Sequence, residues 1–256
     1  MSNEFIYEHV AIPSKGVLYP KEWTTDGKIS IRPMTIREEK ILNTVRLVKS
    51  GKALDMIFRA CIEKPEIKVE DLLSGDRSFL LYFLRCISYG AAYEYRINCP
   101  SCNAQFENIY NLNEMKIKYL SEKFKEPVEF LLPISKRRIA YKLLRGSDEV
   151  AMIEERERKL SSFNADQIDD SITFRLSQTI ELLENITDKF EISRLIDSML
   201  AGDAAALRQN MIEIDCGVDT AVKHVCPKCA NEFQADIPLT VDFFRFTGGR
   251  GTEQSI

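Results

Sequence analysis

Two Cys-Pro-x-Cys elements carry the strongest chemical signal in the sequence, one at Cys99 and Cys102 and the other at Cys226 and Cys229. Two thiolates three residues apart on a tight turn can both point at one ion. Two such turns therefore supply the four sulfurs of a tetrahedral Zn²⁺ site. A site closed by four cysteines has no open position for water or substrate, so the predicted zinc is structural rather than catalytic.

The sequences around the two cysteine pairs repeat. CPSCNAQFENIYNL, from residue 99, aligns with CPKCANEFQADIPL, from residue 226, and this alignment places Phe106 on Phe233. A predicted strand precedes and follows each pair, which is the layout of a zinc ribbon with two hairpins facing one metal. The 123 residues between Cys102 and Cys226 exceed the typical spacing of about 15–20, so the ribbon would be split by an insertion. Loop-closure entropy grows slowly with length, so this gap is not prohibitive.

Redox-active pairs and metal-free thiols are the alternatives to a zinc site. A redox Cys-x-x-Cys pair usually begins a helix, whose dipole lowers the thiol pKa. Here both pairs lie between predicted strands, which favours zinc. The other cysteines, Cys61, Cys86 and Cys216, lie in apolar stretches and are expected to be small buried hydrophobic residues.

Both helices and strands are predicted among the elements that would position these cysteine pairs. Thr35 and Glu38 form a predicted capping box that begins a helix over 36–49. A second helix is predicted from residue 54 to 61, and a third extends from an Asp76 cap to a stop at Gly90. Predicted strands cover 28–32, 93–97, 218–225 and 233–239, and a hairpin joins 128–132 to 138–144.

Residues 146–213 differ in character from the rest of the chain. They contain no proline and carry 15 acidic against 7 basic residues, a net charge of −8. Four helices are predicted there, at 148–160, 170–185, 191–200 and 203–212. A charge excess of this kind is typical of a solvated outer face.

The predicted fold class is therefore α+β, a split zinc-ribbon-like β domain with N-terminal helices and an inserted acidic helical domain. The core would comprise residues 1–145 together with 214–247, and the acidic helical subdomain would comprise 146–213. Residues 248–256 are Gly-rich and polar, and we expect a flexible tail.

Composition excludes several classes of function. The chain has 45% hydrophobic and 29% charged residues and a net charge of −4, which is typical of a globular protein. With two histidines and no P-loop, GxGxxG, GxSxG or HExxH motif, we expect neither an enzyme nor a small-molecule substrate. No apolar run approaches the roughly 20 residues of a membrane span, and no signal peptide is recognisable. We therefore expect cytoplasmic folding, reduced thiols and no membrane association.

A zinc-ribbon module that binds nucleic acid is the alternative function. Nine basic and three acidic residues lie between Lys116 and Arg145, including the run 136–138. The chain as a whole is acidic, however, so this region is better explained as a solvated strand face or a patch for an acidic protein. Nucleic acid is therefore not the expected partner.

Three segments together resemble the T4-type bacteriophage baseplate hub assembly proteins. They are IPSKGVLYP at 12–20, ISIRPMTIREEKIL at 29–42 and SYGAAYEYRINCPSC at 88–102. The resemblance implies a role in building the baseplate hub, as a structural or chaperone-like scaffold with other baseplate and tail proteins as partners. It implies a location in the host cytoplasm during assembly, with the tail baseplate of the virion as the alternative. It implies no active-site residue.

The first of these segments also has its own interpretation. Pro13, Gly16 and Pro20 punctuate a stiff, extended stretch with apolar anchors, to which Tyr19 belongs. Such a stretch packs along a sheet edge, either of its own chain or of a partner by strand addition. These four residues are the candidate protein-binding positions.

Overall fold

The computed structural model describes residues 5–161, 171–238 and 241–244. Helices and short strands alternate along the chain, and the mixed content confirms the α+β class. The strands are β1 Glu8–Ala11, β2 Lys28–Ile31, β3 Ala92–Asn98, β4 Gln105–Asn111, β5 Lys116–Lys118, β6 Val128–Leu131, β7 Arg138–Tyr141, β8 Ile180–Leu183, β9 Gly217–Asp219, β10 Ala221–Val225 and β11 Glu232–Asp236. The α-helices are α1 Ile36–Leu42, α2 Val45–Lys49, α3 Lys52–Cys61, α4 Ser74–Tyr89, α5 Gly146–Ser161, α6 Ser171–Thr179, α7 Lys189–Asp197 and α8 Ala201–Ile214.

The strands form small antiparallel sheets. Four have two strands, pairing β1 with β2, β3 with β4, β5 with β9 and β10 with β11. The fifth has three strands in the order β6-β7-β8. The predicted hairpin over 128–144 is confirmed as β6 and β7, with Val128 opposite Tyr141.

The predicted capping box at Thr35 is confirmed, but the helix it begins is shorter than expected. Glu38 accepts a 2.7 Å hydrogen bond from the Thr35 backbone N–H and also pairs with buried Arg32 at 3.1 Å. The predicted helix over 36–49 is interrupted at Thr44, which has an extended backbone and is the N-cap of α2. The Thr44 hydroxyl donates to the Lys40 carbonyl, and such local side-chain bonds compete with helix continuation.

The predicted Asp76 cap is wrong, whereas the predicted stop at Gly90 is confirmed with φ +86°. Helix α4 begins two residues before Asp76, whose carboxylate is fully buried. It accepts hydrogen bonds from the Ser14 backbone N–H at 2.8 Å and from the Tyr19 hydroxyl at 2.6 Å. A contact with a distant segment has thus taken the place of a local cap.

Residues 12–20 do not form the extended segment that the prolines predicted. They form successive turns, in which Lys15 N–H donates to Ile12 O, Val17 N–H to Ser14 O and Tyr19 N–H to Gly16 O. This compact course allows Ser14 and Tyr19 to reach α4.

The first hydrophobic core lies between α3, α4, the β1–β2 hairpin and the inner face of β3. Its largest fully buried side chains include Phe58, Tyr93 and Phe243. Arg77 of α4 ties this core to neighbouring elements because its guanidinium lies 2.8 Å from Asp55 of α3 and 2.9 Å from Glu149 of α5.

The segment 146–213 is not helical throughout, contrary to the prediction. The expected helix over 170–185 ends at Thr179, and Ile180–Leu183 forms β8 against β7. An exposed edge of the β6–β7 hairpin is available there, and pairing satisfies backbone groups that would otherwise lack partners. The helical periodicity of a sequence carries no information about an unpaired strand edge elsewhere in the fold.

A second hydrophobic core joins this segment to the hairpin that precedes it. Leu132, Ile139 and Tyr141 pack with residues of α6, α7, α8 and β8. The boundary at residue 146 stays a prediction. The predicted tail, 248–256, lies outside the described residues. Among the described helices, none has the length and apolar character required to cross a membrane.

Candidate metal centre

The first cysteine pair lies on the tight turn that joins β3 to β4. Cys99 N–H donates to Ala104 O at 2.9 Å, and Asn103 N–H donates to Cys99 O at 2.9 Å. Asn103 adopts φ +55°, a left-handed conformation that asparagine tolerates better than most residues. We call residues 99–104 the first knuckle.

The second pair lies on an equivalent turn between β10 and β11, residues 226–231, which we call the second knuckle. Cys226 N–H donates to Asn231 O at 3.0 Å, and Ala230 N–H donates to Cys226 O at 2.9 Å. Ala230 adopts φ +56°, the counterpart of Asn103. The sequence repeat therefore corresponds to two turns with the same hydrogen bonds and the same left-handed position.

The two knuckles face each other and bring the four thiols together. All four sulfurs lie within 4.8 Å of one another, and the distances from Cys99 Sγ to Cys229 Sγ and from Cys102 Sγ to Cys226 Sγ are both 3.7 Å. These separations are far longer than a disulfide bond of about 2.05 Å. Sulfurs placed about 2.3 Å from one tetrahedral Zn²⁺ would lie about 3.8 Å apart. The donor set and its spacing are therefore compatible with a metal ion.

The local electrostatics favour thiolates at two of the four positions. Backbone N–H groups, chiefly that of Cys102, lower the pKa of Cys99 to about 6. Burial acts to raise the pKa of Cys226, but the N–H groups of Cys229 and Lys228 outweigh it and lower the pKa. Thiolates are the form in which cysteine ligates metals. Cys99 and Cys226 are also the buried pair, each 1% exposed.

Aromatic residues support the two hairpins behind the sulfurs. Phe106 and Phe233, which the sequence repeat equates, meet edge to face with ring centroids 6.4 Å apart. His224 is 2% exposed, and its Nδ1 lies 3.0 Å from the Asn108 side-chain nitrogen. His224 is therefore a packed strand residue beside the knuckle and lies outside the sulfur cluster.

Side chains of β3 and α4 donate hydrogen bonds to the chain segment that follows the second hairpin. The Tyr93 hydroxyl donates to the Pro238 carbonyl at 2.8 Å. Buried Arg85 donates to the carbonyls of Phe243, Gly90 and Ala92. Neither role was predicted from the sequence, because the acceptors are backbone carbonyls that no side-chain pattern identifies.

The strand predicted over 218–225 is in fact two strands. β9 pairs with β5, whereas β10 pairs with β11, and the change of partner occurs at Thr220. The Thr220 hydroxyl donates to Asp236 at 2.6 Å, and Ala221 N–H donates to the Asp219 side chain. These bonds redirect the chain from the first core to the second knuckle.

Three of the candidate protein-binding residues are turned towards their own chain. Pro13 is buried, and its carbonyl accepts from Leu120 N–H at 2.9 Å. The Tyr19 hydroxyl is hydrogen-bonded within the chain, as described above, and Gly16 lies against Thr24. Pro20 is exposed. Binding of a partner by these residues stays a prediction.

The basic run at 136–138 lies at the β6–β7 turn, within the second core region. Arg137 lies 3.7 Å from Glu184. The neighbouring backbone N–H groups of Ile134 and Ser135 donate to buried Asp203. Acidic groups of the same chain therefore lie close to this run.

The fold and the sulfur cluster together define a mixed α+β protein with a metal-compatible centre between two hairpins. A family model described as T4 bacteriophage base plate protein matches residues 7–245. The chain belongs to this family, and membership supports a structural role in the phage baseplate and contacts with other phage structural proteins. No curated protein and no solved structure matches the chain.

Proposed function

We propose that this protein is a non-enzymatic scaffold in assembly of the baseplate hub, and that Cys99, Cys102, Cys226 and Cys229 hold a structural Zn²⁺. The observation that carries the proposal is the convergence of four sulfurs, at the spacing of a tetrahedral site, from two turns 127 positions apart in the sequence. The family match to residues 7–245 supports the baseplate part of the proposal.

The chain's own residues would give zinc a cross-linking role. The metal would join the β3–β4 hairpin, which is continuous with the first core, to the β10–β11 hairpin near the end of the chain. With four protein ligands no position remains for substrate, so its contribution is folding free energy. The two hairpins complete a zinc ribbon split by the intervening residues.

The scaffold presents protein-binding surfaces in addition to this centre. We place its partners among the other baseplate and tail proteins, with binding during assembly in the host cytoplasm. Residues 12–20, including Pro13, Gly16, Tyr19 and Pro20, belong to one such surface, with Pro20 as its exposed part. The acidic helical subdomain presents another surface.

A complementation experiment tests the proposal. A phage that lacks the gene is supplied with the wild-type chain, with Cys99→Ser, or with the matched control Cys86→Ser, in which a thiol outside the cluster is changed. We expect normal tails with wild type and the control, and loss of complete baseplates with Cys99→Ser. Normal baseplates without any copy of the gene would contradict the scaffold role.

The zinc part of the proposal has its own measurement. Elemental analysis of the purified chain should give one zinc per wild-type or Cys86→Ser molecule and less than a tenth of that for Cys99→Ser.

Quantitative mass spectrometry of purified particles and of lysate distinguishes a permanent component from a chaperone-like factor. A fixed copy number in particles indicates a permanent component, and absence from particles indicates a chaperone-like factor.

A further inference from the structure

A small cavity opens between α6 and α8, beside the chain that follows β7. Its volume is about 170 Å³. Its walls are mainly apolar, and two isoleucines at its mouth, Ile172 and Ile212, are 54% and 65% exposed. The apolar lining residues are Leu143, Leu144, Ile172, Leu176, Met211 and Ile212.

The two helices contribute their residues at helical spacing. On α6 the lining positions include Ile172, Arg175 and Leu176, and on α8 they include Arg208 and Met211. Residues three and four apart lie on one face of a helix. Each helix therefore presents an apolar strip with one arginine to the same cavity.

The charges at this cavity are opposite in sign to those of the surrounding segment. Among the described residues, no carboxylate lies within 4 Å of the guanidinium nitrogens of Arg175 or Arg208. Lys142, the third lining cation, is paired with Asp148 at 2.6 Å. Asp215 is the acidic residue of the lining, so two arginines face one carboxylate there.

We propose that this cavity is a docking site for a segment of another protein in which one bulky apolar side chain is flanked by carboxylates. The proposal rests on the scaffold function proposed above, because it names the chemistry of one partner. Guanidinium groups bind carboxylates in a bidentate manner, and an arginine beside an apolar pocket is a common arrangement at the centre of protein interfaces.

The size of the cavity favours a single side chain over a small-molecule ligand. Small-molecule pockets usually measure roughly 300–1,000 Å³. A cavity of about 150 Å³ can hold benzene, so the 170 Å³ here is sufficient for one aromatic or branched aliphatic side chain. The two exposed isoleucines would extend the apolar contact around it.

Methyl NMR of the full-length chain, labelled at isoleucine and methionine methyls, provides the test. The probe is the peptide acetyl-Glu-Glu-Phe-Glu-Glu-amide. Two matched peptides serve as controls, one with Gln in place of every Glu and one with Ala in place of Phe. We expect saturable shifts of the Ile172, Met211 and Ile212 methyls with the probe, and at least fivefold weaker binding of each control. Equal shifts with all three peptides, or none with the probe at millimolar concentration, would overturn the proposal.

Variants of the chain assign the effect to the two arginines. Arg175→Gln combined with Arg208→Gln should weaken probe binding at least tenfold. Arg194→Gln, which changes an exposed arginine of α7 outside the cavity, should leave it unchanged. Equal weakening by both variants would contradict the proposal. The melting temperature of each variant is measured as well, so that binding is compared only between folded proteins.

A different occupant would also be detected. Asp166, Asp169 and Asp170 of this chain are changed together to Asn, without added peptide. Shifts of the same three methyls would indicate that the chain's own acidic residues reach the cavity, and this would overturn docking of a partner. Unchanged methyls support a site that is open to another protein.

Phage complementation separates this proposal from the scaffold function. If loss of the gene blocks baseplate formation but the double arginine variant assembles normally, the docking site is wrong and the scaffold function stands. If baseplates form without the gene, the scaffold function itself is wrong. Loss of baseplates with the double variant, at normal zinc content, supports both.

Discussion

The two knuckles have the same turn but different surroundings. In the first, β3 has seven residues, and Tyr93 and Tyr95 are 2% and 5% exposed within the first core. In the second, β10 and β11 have five residues each, and β11 has no buried residue. A short repeat thus determines the conformation of a turn, whereas the strands around it decide how firmly that turn is held.

This difference predicts that the two hairpins would depend unequally on the proposed metal. The first hairpin packs against α4 and the aromatic cluster around Phe243. The second contacts the first core through Val222 and the adjacent Ile237. It meets the first hairpin through His224, which lies against Tyr95 and Asn108, through the Phe106–Phe233 contact and through the sulfur cluster, and the Tyr93–Pro238 hydrogen bond follows it. Its own strands, however, are shorter and less buried than those of the first hairpin. We therefore expect the second hairpin to depend more strongly on the metal.

The largest expected effect is that of removing one ligand. Cys226→Ser should release zinc and lower the melting temperature by about 10 °C, because structural zinc contributes several kcal/mol and each kcal/mol is worth about 2–4 °C at this size. Hydrogen exchange should then accelerate at the β10 amides and change little at the β3 amides. Cys86→Ser is the control. A zinc-free Cys226→Ser chain with an unchanged melting temperature would show that the metal does not stabilise the fold.

Acidification should destabilise the metal-linked hairpins at a higher pH than the Arg32–Glu38 pair of the N-terminal core. Metal affinity falls with pH because protonated thiols do not ligate. In contrast, hydrogen bonds from Arg32 and Thr35 outweigh the effect of burial and lower the pKa of Glu38 to about 2. Because this folded-state pKa is depressed, the pair stabilises the fold above an ordinary glutamate pKa of about 4.3, and this contribution is lost as the pH falls towards 2.

The expected size of the Glu38 contribution is about 2–3 kcal/mol. Unfolding of the wild type and of Glu38→Gln, monitored between pH 7 and pH 2 with the metal chelated throughout, measures it. The free energies of unfolding of the two proteins should converge below pH 4. A constant difference across this range would show that Glu38 acts through packing and not through its charge.

The Phe106–Phe233 contact tests whether the hairpins support each other directly. Both rings are half-buried, so each change to Ala should cost about 2 kcal/mol. The double variant should cost less than the sum, with a coupling of about 0.5–1.5 kcal/mol for an edge-to-face pair. Denaturant unfolding of the two single variants and the double variant measures this coupling. Additive losses would leave the metal as the main connection.

The smallest expected effect comes from exchanging the left-handed residues of the two turns. A residue with a Cβ costs about 1–2 kcal/mol in this conformation, and Asn is less penalised than Ala. Ala230→Asn should therefore stabilise the chain by about 0.5–1 kcal/mol, and Asn103→Ala should destabilise it by a similar amount. Thermal unfolding at saturating zinc detects both changes. Shifts of the same sign would contradict the equivalence of the two turns.

Local chemistry made part of this structure predictable. The cysteine pairs, the Thr35 capping box and the stop at Gly90 each depend on residues within a few positions of one another. The sequence repeat equated Phe106 with Phe233, and the structure adds that the two rings meet edge to face.

Tertiary contacts decided the features that the sequence did not predict. Asp76 carries the sequence signal of a cap but is bound by Ser14 and Tyr19, about sixty positions away. Residues 180–183 continue a helical pattern, yet they complete a sheet whose edge is built by residues 138–141. The cavity between α6 and α8 likewise depends on the distance between the two helices. The sequence pattern of each helix does not predict that distance.

The distance between the knuckles has a consequence for how the protein is made. At roughly 5–20 residues per second, a ribosome reaches Cys226 about 6–25 s after Cys99. During that interval a nascent chain displays two thiols whose ligand partners have not yet been translated. The sulfur cluster is completed only after Cys229 has been translated. Zinc uptake at this site would then report that synthesis has passed Cys229, and chains that terminate before it would lack the complete set of ligands.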